Sequence, residues 1–192
     1  SKYGKYIIGF LVLIVTIFSL TQYLQSKNIS DNKKILDTYF TAIESIEKKQ
    51  LDLVDQNLKI VYNEKNKTLA AVSSIKLSQV YLEDNQKNQA LSLLKDTYSN
   101  NSLDSIYREL ALYKYIMINF ENIEVSNIEN MISLIEKNNS EFNLYFQEMI
   151  GIKHLTLGNT KKANSIFTNL SLDENTPFDL RMRLDKLIQI AN

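Results

Sequence analysis

The chain has 192 residues, 44% hydrophobic and 23% charged, which is enough apolar material for one domain with a core. Its formal net charge is +0 and no long single-sign run occurs, so nothing in it resembles an electrostatic footprint for nucleic acid. The absence of cysteine excludes disulfides, CxxC redox motifs and thiolate zinc sites, and one proline with four glycines is too little punctuation for an all-β fold.

The first predicted element is apolar. From Tyr6 to Leu24 there is no charged residue, and Ile7 to Leu20 is almost wholly hydrophobic. A helix needs about 20 such residues to cross about 30 Å of hydrocarbon. Tyr3, Tyr6 and Tyr23 stand where the two interfaces would lie. A cleaved signal peptide wants a small-x-small site after the apolar run, and Thr21 to Ser26 offer none. Residues 1–28 are therefore expected to form a tail and a single transmembrane helix. Lys2 and Lys5 lean toward an amino terminus inside by the positive-inside rule, but Lys27, Lys33 and Lys34 on the other side nearly balance them, so charge alone leaves the orientation open.

After Ser30 the helical period takes over. Ile35, Leu36, Tyr39, Phe40, Ile43 and Ile46 recur at intervals of three and four, with Ser30 or Asp31 as the expected cap. Further helices are expected at 51–62, 67–83, 86–98, 103–119, 125–138, 140–157, 160–170 and 177–191. The breaks fall at turn-forming residues such as Asn63, Asp84-Asn85, Asn100-Asn101-Ser102 and Gly158-Asn159. The last helix reads with Thr176 as its N-cap and Pro177 at its first position.

The helices repeat. Leu77-Ser78, Tyr81, Asn85, Ala90 and Leu94 have the same spacing as Ile150-Gly151, His154, Gly158, Ala163 and Phe167. Half of that step reaches Lys114-Tyr115, Ile118, Asn122, Asn127 and Met131, and one step earlier lies Thr41-Ala42, Ser45, Lys49, Val54 and Leu58. A small residue on the first helix lets the second lie close, a small residue on the second receives the neighbouring turn, and Gly or Asn between them allows a tight connection. The pattern resembles the tetratricopeptide repeat, best in the unit from Glu141 to Asn175. The expected architecture is all-α. A tetratricopeptide-like solenoid over 29–192 follows the transmembrane helix, with about four degenerate repeats over 35–171 and a capping helix at 177–191.

In such a solenoid the first helix of each hairpin lines the concave surface. A uniform register puts Leu36, Tyr39 and Ile43 there from the first unit, and Val72, Ile75, Gln79 and Glu83 from the second. The third supplies Glu109, Leu112, Ile116 and Asn119, and the fourth Tyr145, Glu148, Ile152 and Thr156. Tyr39, Val72, Ile75, Gln79, Leu112, Ile116, Tyr145 and Glu148 are the candidate partner-binding residues, with core packing as the competing reading of the same side chains.

Catalytic signatures are missing: no P-loop, GxGxxG, HExxH or GxSxG occurs. The single histidine, His154, occupies a position that the repeat fills with an aromatic, so it reads as a packed ring. Neither an enzyme, a cofactor nor a small-molecule substrate is expected.

The run Gly158-Asn159-Thr160-Lys161-Lys162-Ala163 with Phe167 and Leu170, followed by Thr176-Pro177, Leu180-Arg181 and Arg183, is similar to alphaproteobacterial single-pass tetratricopeptide-like proteins related to the ancillary subunit of the SecYEG translocon. That resemblance implies an inner-membrane anchor with a periplasmic domain. It also implies protein partners among translocon subunits, periplasmic chaperones or envelope-assembly factors. A membrane-tethered adaptor is thus one expected function, and a structural accessory subunit of a larger membrane complex is the other.

Overall fold

The computed structural model describes residues 27, 29–48, 50–64, 66–135, 140 and 142–192. The predicted membrane span lies outside them. Among the described residues no helix is long and apolar enough to cross a membrane.

The described chain is helical throughout, without strands. Helix α1 spans residues 29–47. It is followed by α2 (Leu51–Tyr62), α3 (Lys67–Glu83), α4 (Lys87–Ser99), α5 (Ser105–Asn119), α6 (Val125–Ile135), α7 (Asn143–Thr156), α8 (Thr160–Leu172) and α9 (Phe178–Ala191). Consecutive helices pack on each other, and α3 also touches α5 as α7 touches α9. Odd-numbered helices therefore line one side of the array and even-numbered helices the other.

The connections explain why the chain turns where it does. Asn85 and Gly158 adopt left-handed φ values of 59° and 75°. At the first turn Gln86 N–H donates to Tyr81 O (2.7 Å) and Asn85 N–H to Leu82 O (3.1 Å). At the second, Asn159 N–H donates to His154 O (2.9 Å) and Gly158 N–H to Leu155 O (3.0 Å). These are the two bonds of a Schellman motif, built twice from the two segments that the spacing had matched. Gln50 N–H makes the corresponding bond to Ser45 O (3.0 Å) after α1.

Close packing follows the same pattern. Ala90 and Ala163 are fully buried. A Cβ added to Gly151 would collide with the Phe167 ring, so only glycine lets α8 lie this close to α7. The third hairpin breaks the rule. A step of 35 residues back from Gly151 and Ala163 reaches Ile116 and Ile128, so large buried side chains stand where the other units have small ones. Accordingly α6 packs less extensively on α5 and α7 than the other helices pack on their neighbours.

Three adjoining apolar clusters form the core. One gathers Ala42, Val54, Leu58, Leu77 and Val80. The central cluster includes Leu94, Leu112, Ile116, Ile128 and Phe146. A third joins Ala163, Phe167, Leu170, Leu180 and Leu184, so α9 closes the last hairpin. Basic side chains satisfy carbonyls at helix ends: Arg108 Nε donates to Tyr98 O (3.0 Å), and Lys153 Nζ to Phe120 O (2.7 Å) and Glu121 O (3.2 Å).

Two expected caps are corrected. Ser30 and Asp31 lie inside α1, with Ile29 before them already helical. Pro177, extended at φ −56° and ψ 150°, is the N-cap of α9 in place of Thr176. The Thr176 hydroxyl instead donates to Leu170 O (2.6 Å) and satisfies a carbonyl at the end of α8.

Candidate partner-binding groove

The odd-numbered helices bring repeat-equivalent side chains into rows. Glu148 and Arg183 are 35 residues apart in sequence and directly bonded, with Arg183 Nε to Glu148 Oε1 at 2.6 Å and Nη2 to Oε2 at 2.8 Å. Tyr113 stands the same step before Glu148. One helical turn further, Met117, Ile152 and Leu187 repeat the interval. These six residues, with Phe120, Tyr145 and Met149, line an open cavity of about 600 Å³ across α5, α7 and α9.

The cavity is apolar at its walls and charged at one point. Glu148 is buried and Arg183 half exposed, so the guanidinium acts as the carboxylate's lid. The Glu148 hydrogen bond raises the Arg183 pKa further. Burial, and then the Glu148 charge, push the Tyr113 phenol above its usual value. Tyr113 meets Tyr145 edge-on at 6.3 Å between centroids. Met117 remains 55% exposed although it lies between Tyr113 and Phe120 on the same helix face. With one ion pair satisfied and apolar walls uncovered, this surface is suited to burying side chains of another polypeptide.

Of the candidate residues, Tyr145 and Glu148 line this cavity. Val72, Ile75 and Gln79 occupy the equivalent face of α3, which differs in character. Ile75 is drawn into the central core. Gln79 donates to Glu83 (2.9 Å) and accepts from Lys76 (3.5 Å), so that face is polar. Tyr39 packs against the first core cluster and, edge-on, against Phe40 at 5.9 Å.

The third unit requires a correction. Leu112 and Ile116 are 0% exposed and belong to the core, while Tyr113 and Met117 face the groove. A uniform step of about 36 residues misses by one position here, because Tyr113 and Met117 stand 35 residues before Glu148 and Ile152. Ile106, Leu110, Tyr113, Met117 and Phe120 recur at intervals of four and three, but Leu112 and Ile116 share that spacing, so periodicity alone does not choose between the two rows.

His154 is the packed ring that the repeat implied. It is 6% exposed and neither ring nitrogen has a hydrogen-bond partner. Burial, then Lys162, hold its pKa below the ordinary 6.5, against a weaker pull from Glu129. Among the described residues no cluster of His, Cys, Asp and Glu could hold a metal ion.

No family model matches the chain. No curated protein matches it either. Among solved structures, it is similar to the crystal structure of a Podosopora anserina protein described as a kinesin light chain with nearly identical TPR-like repeats, at TM-score 0.54 and 14% identity over 82% of this chain and 85% of that one. A point variant of that protein matches at TM-score 0.55 and 14% identity, over 82% and 84%. The chain folds as a tetratricopeptide-like solenoid. At this identity the likeness concerns the fold, and the groove residues are this chain's own.

Proposed function

We propose that the chain is a protein-interaction module whose concave face across α5, α7 and α9 captures an apolar segment of a partner protein. The observation that carries this reading is the row of exposed Met117 and half-buried Ile152 and Leu187 beside a satisfied Glu148–Arg183 pair. A solenoid holds such a row rigid, so a partner segment orders alone and the groove does not.

In the finer reading, residues 6–24 tether the module to a bacterial inner membrane and the solenoid lies in the periplasm. The uncharged length of that segment supports a span. The resemblance to relatives of the ancillary translocon subunit supports partners among translocon subunits or periplasmic chaperones. Site-specific photo-crosslinking in cells tests both levels. Adducts from Met117 and Tyr113, with few from Gln79 and Val72, are expected. Their absence from the groove sinks the interaction reading, and adducts with unrelated proteins alone sink the translocon reading.

A second reading, a structural accessory subunit, draws on Leu134 and Leu172, which are strongly exposed on the even-numbered helices α6 and α8. That reading expects one stoichiometric adduct from Leu134 or Leu172 and none from Met117.

A further inference from the structure

Helix α1 carries an apolar face that the core and the groove leave unused. Ile29 is 63% exposed, Phe40 58% and Leu36 39%, with Ile43 half-buried beside them. The opposite side of the helix, at Ala42 and Ser45, is buried in the fold. The polar Lys76, Gln79 and Glu83 face of α3 separates this stripe from the groove of α5, α7 and α9.

Two features indicate what covers the stripe. Ile29, Leu36 and Ile43 recur every seven residues, the heptad interval of two helices packed along their length. The chain outside the described residues also ends directly on α1, and its uncharged stretch runs to Ser26, three residues before Ile29. Two copies held by that stretch in one bilayer present α1 side by side, pointing the same way.

We propose that α1 pairs in parallel, in register, with α1 of a second copy. In that register Ile29, Leu36 and Ile43 meet their own counterparts. Phe40, one turn from both Leu36 and Ile43, flanks the seam on the same face. The contact runs about 21 Å at 1.5 Å per residue. So short a seam buries less than the roughly 1,200 Å² of a specific standard interface. Pairing therefore depends on tethering, which raises the effective concentration of one copy around the other. This inference rests on the reading of residues 6–24 as an anchor.

The absence of native cysteine makes the test direct. Single cysteines replace each residue from Ile29 to Glu44 in the full chain, reconstituted in phosphatidylcholine vesicles and oxidised. A disulfide requires Cα atoms within about 7 Å. Disulfide-linked dimers are expected to peak at Ile29→Cys, Leu36→Cys and Ile43→Cys, with Asp37→Cys and Glu44→Cys low. The peaks should vanish when detergent dilutes the chains. A peak at Leu36 and Phe40 alone means an antiparallel contact and overturns the proposal. A flat profile also overturns it, and an environment-sensitive dye on the same cysteines then reports whether lipid covers the stripe instead. A chain that alkaline carbonate strips from the vesicles removes the anchor and the pairing together. A chain that stays bound with a flat profile removes the pairing alone.

Discussion

Gly151 is the residue on which the last hairpin depends. Its missing side chain is filled by the fully buried Phe167 ring, which has no free volume to retreat into. Gly151→Ala is expected to destabilise the fold by about 1–3 kcal/mol despite alanine's better helix propensity. Urea unfolding checks this, and Phe167→Leu in the same chain should recover part of the loss. His154 has a consequence that depends on pH. Above its ordinary pKa of 6.5 both folded and unfolded states are neutral there, and ionisation at this site costs nothing. As pH falls through 6.5 the unfolded chain takes the proton first, because burial and Lys162 depress the folded pKa. Stability therefore drops until the folded pKa is reached. Between about pH 7.5 and about 5.5 the native protein should lose more stability than His154→Phe, which keeps a packed ring. Equal losses in the two proteins would remove this account. Arg183→Met leaves the Glu148 carboxylate buried and unpaired. Because Arg183 is half exposed, the expected cost is only about 1–2 kcal/mol.

At the scale of elements, the turns repeat more faithfully than the faces. Asn85 and Gly158 carry the same pair of Schellman bonds at left-handed φ. Gly158→Ala should cost about 1–2 kcal/mol for the left-handed backbone, whereas Asn85→Gly should be neutral or stabilising, since asparagine already tolerates the strain. These turns were legible because only a few residue types reach positive φ. The face of α5 was not, because the repeat step is uneven there and nothing in the local pattern of Leu112 or Ile116 reveals it. Helix α6 is the weak element. Ile116, large where Gly151 is small, keeps it from settling on α5 as α8 settles on α7, so its amides should exchange with deuterium faster than those of α7 or α8. Equal protection would show that its three buried isoleucines, Ile128, Ile132 and Ile135, suffice to hold it.

At the scale of the molecule, stability and the proposed recognition share α9. It buries Leu180 and Leu184 against the last hairpin and offers Arg183 and Leu187 to the groove. Leu184→Ala should cost about 2–5 kcal/mol and should weaken partner capture as well, because one groove wall loosens with it. Met117→Glu should abolish capture at unchanged melting temperature, since Met117 is exposed and supports nothing beneath it. The sequence by itself determined the helical class, the Asn85 and Gly158 turns and the packed role of His154. Each of those follows from spacing or from the backbone freedom of one residue type, which are local properties. Only the tertiary structure decided that Tyr113 and Met117, rather than Leu112 and Ile116, face outward, and that Glu148 meets Arg183 from a helix two elements away. Those outcomes depend on the rotation of each helix about its own axis. That rotation is set by the packing of all its neighbours at once, and no single segment of the chain encodes it.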